Sequence, residues 1–137
     1  TVHGPAHPTT ALLLNNLGGV YESMDRPDDA EPCYRESLEI ILATHGDRHP
    51  DAARSLNNIA SIHEARREYD RAEEIYFRVL SIRRDVFGES HPETLTATNN
   101  LAFLYRWMER YLEAAPLFRP PRPLVSVALR LAPPHPT

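Results

Sequence analysis

The histidines are the residues in this sequence that first suggest metal or acid–base chemistry. Four of the seven stand before proline, and three of these, His7, His49 and His91, recur at a spacing of 42 residues. A zinc site usually pairs histidines at i and i+4 on one helix, whereas these fall singly in successive loops. They are expected to cap helices, because an N-cap side chain accepts a hydrogen bond from a free backbone N–H. We expect no metal and no other cofactor.

The remaining reactive side chains lack the sequence context that catalysis requires. None of the motifs GxSxG, GxxxxGK or HExxH occurs. His63 occupies the slot held by Tyr21 and Tyr105 and is expected at the edge of the core. Cys33 aligns with apolar residues and is expected to be a small buried hydrophobe, with nothing nearby to activate the thiol. The sequence therefore predicts that the chain is not an enzyme.

Charged residues between positions 64 and 85 are expected to form a mixed, solvated helix surface. The candidates for a catalytic carboxylate pair are Glu64, Glu68, Glu73 and Glu74. The candidates for a phosphate grip are Arg78, Arg83 and Arg84. Opposite charges lie within helical pairing distance of both groups, which favours a solvated surface over either site.

A 42-residue repeat must position these side chains, and it predicts pairs of helices. The asparagine pairs Asn15-Asn16, Asn57-Asn58 and Asn99-Asn100 keep this period. In each unit, apolar residues at i, i+3, i+4 and i+7 predict a first helix, whose core residues in the first unit are Leu14, Leu17, Gly18 and Tyr21. The residues that predict a second helix there are Ala30, Cys33, Tyr34, Leu38 and Ile41. The small residues expected where the helices approach closely are Gly18, Ala60, Ala102, Ala30, Ala72 and Ala114.

Proline and glycine mark where these helices begin and end. The prolines at 8, 50 and 92 suit a first helical turn, where an N–H has no helical partner. Gly46 and Gly88 suit a helix end, where glycine in the left-handed conformation closes the last carbonyls. Each unit is therefore a helical hairpin, and stacked hairpins form a solenoid.

These motifs resemble those of one known family. The run Leu-Asn-Asn-(Leu/Ile)-(Gly/Ala), the segment Tyr-Asp-Arg-Ala-Glu-Glu-Ile-Tyr at 69–76 and the motif Gly-x-x-His-Pro are similar to tetratricopeptide repeats of the 42-residue, kinesin-light-chain kind. The resemblance covers about residues 1–119. It implies an all-α, right-handed superhelix of stacked antiparallel hairpins, and carries no activity by itself.

The repeat pattern also predicts boundaries and a truncated array. Residues 1–6 correspond to the end of a preceding repeat, 7–48 to repeat 1, 49–90 to repeat 2, 91–119 to a partial repeat 3 and 120–137 to a proline-rich, off-pattern tail. The second helix of the third unit, which includes residues 111–114, is expected to end near Arg119, because prolines follow. The segment 124–131 either forms a short covering helix or belongs to a tail without native structure.

Composition excludes several classes of partner. The chain has 137 residues, 15 basic and 19 acidic side chains and a net charge of −4. Nucleic acids and anionic membranes attract proteins with a basic excess, so neither is an expected partner. One cysteine and no apolar stretch long enough to span a bilayer predict a cytoplasmic protein.

The asparagine pairs indicate a binding surface. They lie on the flank of each first helix that faces away from the expected core, on the concave side of the superhelix. The predicted residues of this surface are Asn15, Asn16, Arg54, Asn57, Asn58, Ser61, Asn99, Asn100, Phe103 and Arg106. An asparagine amide donates and accepts, so a ladder of them can pair with an extended peptide backbone. Alternatively, one member of each pair joins neighbouring helices through buried hydrogen bonds.

The expected function is that of a scaffold that binds a protein or peptide. The resemblance supports this, since asparagines of this motif help hold peptides in kinesin-light-chain-like repeats. The arginines of the surface could bind a carboxylate and Phe103 or Trp107 could anchor an apolar side chain, with the second and third units dominating. The alternative is a structural or regulatory segment, without a ligand, of a larger signalling ATPase or enzyme. Self-association through uncovered end faces is also expected to be possible.

Overall fold

The computed structural model describes residues 7–114, and the side chains of residues 7–109. Within this part the fold is all-α, as expected, and no strand occurs. The helices are α1 (Pro8–Ser23), α2 (Pro27–His45), α3 (Pro50–Ala65), α4 (Tyr69–Phe87) and α5 (Pro92–Ala114). The expectations for residues 1–6 and 115–137, including the tail and its short helix, lie outside the described residues.

One histidine caps the first helix of each of the three units, which confirms the expectation from the His-Pro motif. The side chains of His7, His49 and His91 each accept a hydrogen bond at Nδ1, with an N···N distance of 3.0 Å. The donors, each two residues further on, are the backbone N–H groups of Thr9, Asp51 and Glu93. A proline follows each cap, so the first turn of the helix loses no donor that it needs.

Gly46 and Gly88 end the second helices, as expected, with a different backbone geometry. Their φ angles are 83° and 89°, so the positive sign is confirmed. Their ψ angles of −179° and 168° are not those of the left-handed helical region. This extended region at positive φ is essentially restricted to glycine. Each glycine N–H still donates to the carbonyl four residues earlier, on Leu42 and Arg84.

The turns inside the first two hairpins are equivalent, and the third unit lacks such a turn. Asp25 and Arg67 occupy the same repeat position with φ of 58° and 63°. The corresponding residue in the third unit, Glu109, lies inside α5, which continues to Ala114. The expectation that residues 111–114 start a separate helix is therefore wrong. Residues 108–114 contain no glycine or proline, but neither do residues 66–72, where the second unit turns at Arg67, so this absence does not explain why α5 continues.

The hairpins meet in an apolar core between α2 and α3. Ala30 and Tyr34 of α2 are packed in one cluster with Ile59 and Ile62 of α3, and all four are almost fully buried. Among the small residues predicted at close approaches, Gly18, Ala30, Ala60 and Ala72 are buried. Ala102 is exposed, contrary to expectation. The side chain at position 114 lies outside the described set.

The buried face of α1 differs from the predicted one. The buried residues of this helix are Ala11, Asn15 and Gly18, whereas Leu17 is 43% exposed. Leu13 and Val20 are exposed as well. The residues of α3 equivalent to Leu13, Leu17 and Val20 are Ser55, Ile59 and Ile62, respectively. All three are buried. Helix α2 packs on this face of α3, and no element among residues 7–109 covers it on α1.

The chain divides into two compact units within α5. The first unit comprises Thr1–Leu104 and the second Tyr105–Thr137. The first unit contains most of the predicted binding residues. The described side chains of the second unit include the exposed Arg106 and the buried Met108.

Candidate binding face of the first helices

Asn15 joins two hairpins. Its side chain is 8% exposed, and its Nδ2 donates to the Ser55 Oγ across the junction of α1 and α3 at 3.1 Å. The Ser37 hydroxyl of α2 lies 3.3 Å from the Ser55 hydroxyl and donates to the Ala11 carbonyl at 2.8 Å. Because these polar atoms satisfy one another, Asn15 is better explained by the structural alternative than by ligand binding.

Asn57 and Asn100 form the corresponding polar link between α3 and α5. The Asn100 Nδ2 donates to the Asn57 Oδ1 at 3.0 Å. The two residues are not equivalent members of their pairs, since Asn57 is the first of one pair and Asn100 the second of the next. One amide hydrogen bond of each is therefore already used between helices.

Asn16, Asn58 and Asn99 are the asparagines whose amides remain open. Asn16 and Asn99 are exposed and Asn58 is half-buried. Within residues 7–109, the side chain of none of the three takes part in a hydrogen bond to another protein group. Asn16 and Asn58 are equivalent, so the same amide recurs on α1 and α3. These amides can donate to and accept from a bound backbone.

Two carboxylates, those of Glu22 and Glu64, lie beside this surface. The Tyr34 hydroxyl donates to Glu22 at 2.5 Å and the Tyr76 hydroxyl to Glu64 at 2.9 Å. Burial, together with the neighbouring glutamate in each case, raises the pKa of both phenols well above the usual value. The Ser61 hydroxyl lies 2.8 Å from the Asn58 carbonyl and 3.4 Å from Glu22 Oε2. The tyrosines thus fix where these carboxylates lie.

Arg54 and Phe103 are the accessible cation and aromatic residue of the predicted set within the first unit. The Arg54 side chain is 54% exposed, and its guanidinium is 3.7 Å from the nearest carboxylate oxygen, on Asp51. Phe103 is 58% exposed. In the second unit, Arg106 is exposed and Trp107 is 47% exposed. Arg106 belongs to the second unit, and the other predicted residues all belong to the first.

Two predicted surface charges are buried. Glu73, expected to be solvated, is 1% exposed in α4. Arg83, expected on a mixed surface, is 7% exposed and donates to the Glu93 carbonyl at 3.3 Å. Burial lowers the pKa of the Arg83 guanidinium. A helical sequence pattern locates charges on a face but does not reveal that a following helix covers that face.

His63 and Cys33 also differ from expectation in how deeply their side chains are buried. His63 is 3% exposed, more deeply buried than a core-edge residue, with its Nδ1 2.6 Å from a Glu68 oxygen. Cys33 is half-buried rather than fully buried. Its partial burial, with the negative charges of Glu36 and Asp29, raises the pKa of the thiol, which opposes nucleophilic reactivity.

Comparison with known proteins decides the family. A tetratricopeptide repeat profile matches residues 9–85 and 56–119, which is most of the chain. The chain belongs to the tetratricopeptide repeat family. Tetratricopeptide repeats generally mediate protein–protein interaction. No match to a curated protein sequence was found.

Solved tetratricopeptide repeat structures share the fold. BtubC (BKLC) from P. vanneervenii is similar with a TM-score of 0.69 and 24% identity, over 82% of this chain and 49% of that protein. A putative kinesin light chain of Podosopora anserina with nearly identical TPR-like repeats is similar with a TM-score of 0.69 and 20% identity, over 97% of this chain and 61% of that one. The resemblance read from the motifs is confirmed, and this chain spans about half of BtubC. No helix among the described residues of the repeats is long and apolar enough to cross a membrane.

Proposed function

We propose that this chain is a protein-interaction module that binds a peptide or a partner segment along the first helices of its repeats, without catalysis or a cofactor. The observation that carries the proposal is the recurrence of open amides at Asn16 and Asn58, equivalent residues of successive hairpins. Two such amides at a fixed spacing can bind the backbone of an extended segment whatever its side chains.

In this proposal, some residues of the predicted face bind the ligand and others hold neighbouring helices together. Asn16, Asn58 and Asn99 bind the ligand backbone, while the other three asparagines of the predicted face hold the helices in register. Arg54 binds an acidic side chain or carboxylate of the ligand, because its guanidinium is exposed and weakly paired. Phe103 supplies an apolar anchor. Ser61 remains a proposed contact at the edge of this surface, and Arg106 remains a proposed contact within the second unit.

The proposed partner is a protein in the cytoplasm, and not a nucleic acid or a membrane. The net charge of −4 opposes approach to either polyanion. Cys33 is half-buried and unpaired by disulfide, which fits a reducing compartment.

A peptide-library selection tests this proposal. The full 137-residue chain is immobilised and presented with a phage-displayed library of random peptides, and the selected peptides are synthesised with a fluorescent label. We expect the double variant Asn16→Ala, Asn58→Ala to weaken binding roughly 5- to 150-fold, because the two lost hydrogen bonds contribute about 0.5–1.5 kcal/mol each. The matched control is Glu39→Ala, at an exposed position of α2. Equal affinity of the double variant and the control would remove the asparagine ladder from the proposal.

The second candidate is a segment that stacks on another hairpin and binds no ligand of its own. The observation that favours it is the exposed stripe of Leu13, Leu17 and Val20 on α1, whose equivalents on α3 are buried under α2. In isolation, such a face favours self-association. This candidate predicts that Leu17→Glu reduces self-association in sedimentation equilibrium, and that the library yields no peptide sensitive to the asparagine variant.

A further inference from the structure

We propose that the exposed apolar face of α1 binds the second helix of another repeat hairpin, and that it selects a helix of the α4 kind over one of the α2 kind. The residues of this outer face are Leu13, Leu17, Val20 and Met24, which are 43–62% exposed. The α2 kind carries Arg35 where the α4 kind carries Phe77. The proposal goes beyond peptide binding and does not depend on it.

The junction of α2 and α3 shows how the equivalent face of the next unit is covered. The α3 residues equivalent to the outer face are Ser55, Ile59, Ile62 and Arg66. Helix α2 covers the apolar part of this set, with Tyr34 packed in one cluster with Ile59. It also binds the charged end, because Arg66 donates to Asp28 at 2.5 Å and to Glu31 at 2.7 Å. A second helix is therefore the element that covers this face in the array.

The outer face of α1 lacks the groups for these ion pairs. Met24 holds the position of Arg66, and Tyr21 holds the position of His63. A helix of the α2 kind would place the Glu31 carboxylate against Met24, where no guanidinium balances its charge. Because the Glu31 side chain is only 17% exposed in the present junction, the loss of such a partner is costly. Ionic complementarity therefore disfavours the α2 kind.

Helix α5 supplies the closer match to α1. The positions compared are Thr10, Leu13, Leu17, Val20, Tyr21 and Met24 of α1 with Thr94, Ala97, Leu101, Leu104, Tyr105 and Met108 of α5, and four of the six pairs are identical. On α5 the first four of these residues are buried. Helix α4 precedes α5 in the chain, and its Glu73 is 1% exposed although methionine, and not arginine, holds the Arg66 position in the following helix. The α4 kind thus does not need that arginine.

The Thr10 hydroxyl adds a polar contact to this match. On α5 the equivalent Thr94 hydroxyl donates to the Arg83 carbonyl of α4 at 3.1 Å. Thr10 is half-buried, and within residues 7–109 its hydroxyl makes no hydrogen bond to another protein group. The equivalent residue of α3 is Ala52, which has no hydroxyl to donate. Thr10 is therefore available to bind a carbonyl of an incoming helix as Thr94 binds α4.

Leu13 sets one further requirement on the incoming helix. Its equivalents, Ser55 and Ala97, are smaller and fully buried. Ser37 of α2 faces this position, since its hydroxyl lies 3.3 Å from that of Ser55, and Val79 is its equivalent in α4. Overpacking destabilises a junction, so the side chain opposite Leu13 must be small. The expected occupant is a helix of the α4 kind with alanine or glycine at the Val79 position.

Two extended chains test this selection. Each keeps all 137 residues and receives one extra hairpin between Ala6 and His7, where the 42-residue period preserves the connecting loop. One insert copies residues 49–90 and carries Val79→Ala in the copy, so α4 precedes α1. The matched insert copies residues 7–48 and carries Ser37→Ala in the copy, so α2 precedes α1.

The measurement is the loss of urea midpoint caused by Leu17→Glu in each chain. Leu17 is exposed in the present chain, so the loss there should be small. With the α4 insert, the glutamate would be buried, and we expect a loss of about 1 M or more. With the α2 insert, we expect less than half of that loss. The control is Leu12→Glu on the same helix, where the equivalents Arg54 and Thr96 are exposed, and it should have little effect in any of the chains.

Amide hydrogen exchange gives a second measurement on the unsubstituted chains. The amides of Leu17 and Val20 should exchange about tenfold more slowly with the α4 insert than in the present chain. Equal losses from Leu17→Glu with the two inserts would overturn the selection. An α4 insert that leaves exchange unchanged, or that adds no helix in circular dichroism, would overturn the docking itself. None of these results bears on the Asn16 and Asn58 variants, so the peptide-binding proposal is tested separately.

Discussion

The Tyr34 ring of α2 lies directly against the backbone of Gly18 in α1. A β-carbon at residue 18 would be 2.4 Å from the ring Cε1. The ring cannot easily move away, because Tyr34 is 1% exposed and its hydroxyl is bonded to Glu22. We predict that Gly18→Ala destabilises the chain by about 1–3 kcal/mol through overpacking, measured by urea unfolding.

The adjacent glycine provides the control for this effect. A β-carbon at Gly19 would come no closer than 3.9 Å to any of its neighbours, and the residue is exposed. Gly19→Ala is therefore expected to stabilise α1 by about 0.5–1 kcal/mol, since alanine is the better helix former. If both variants are destabilised alike, the contact with Tyr34 is not the cause.

The glycines between hairpins are predicted to be required because of their backbone conformation, and not because a side chain there would clash with a neighbour. Nothing lies within 4 Å of a β-carbon built on Gly46 or Gly88, yet both have φ above 80°. Alanine at either position is expected to cost about 1–3 kcal/mol of strain. Urea unfolding checks this, and Gly88→Asn should be about as harmful as Gly88→Ala, because asparagine tolerates positive φ mainly in the left-handed helical region, which this backbone does not adopt.

Replacing Asn15 is predicted to reduce stability, whereas replacing Asn16 is predicted to reduce peptide binding. Asn15→Ala leaves the buried Ser55 hydroxyl short of a partner and is expected to cost about 1–3 kcal/mol in urea unfolding. Asn16 is exposed, so Asn16→Ala should change stability by less than about 0.5 kcal/mol while weakening a selected peptide. A loss of binding that requires Asn15→Ala, with no effect of Asn16→Ala, would contradict the proposed division of roles.

Glu31 is predicted to stabilise the first junction until strongly acidic pH. Burial opposes ionisation of its carboxylate, but hydrogen bonds from Arg66 at 2.7 Å and Arg35 at 2.8 Å outweigh it and lower the pKa. The folded chain therefore holds this proton more weakly than the unfolded chain. The stabilisation is complete above the usual glutamate pKa of about 4.3 and is lost as the pH falls through the lowered value.

The measurement is the urea midpoint of the parent and of Glu31→Gln as a function of pH. We expect the two midpoints to differ at pH 7 and to converge as the pH falls below about 4. The exposed Glu39, changed to Gln, should leave the midpoint close to that of the parent throughout.

Local rules were sufficient to predict the ends of most helices. Proline after histidine, and glycine at the close of each second helix, act through contacts within a few residues, so they can be read from the sequence. The continuation of α5 past Glu109 was missed because the repeat period suggested a turn there. The sequence offers no local reason for the difference, because the second unit turns at Arg67 without a glycine or proline and α5 continues without one.

Burial and the roles of the asparagines could not be predicted in the same way. Leu17 has the same helical phase as the buried Ile59, and only the presence of α2 above one of them makes the difference. Asn15 and Asn16 have the same chemistry, and what distinguishes them is the Ser55 hydroxyl, 40 residues along the chain. A single sequence carries no signal for such distant partners.

The polar contact of Asn15, Ser37 and Ser55 makes the order of the hairpins matter. At the next junction, the positions of Ser37 and Ser55 are occupied by the fully buried Val79 and Ala97. A recombinant array with its first two hairpins exchanged would set Asn15 and Ser37 against the methyl group of Ala97. Ser37 would keep its hydrogen bond to the Ala11 carbonyl, but the buried Asn15 amide would lose the Ser55 hydroxyl. The repeats are therefore not interchangeable. An array that is lengthened by design must retain both sides of each junction between hairpins, instead of single repeats.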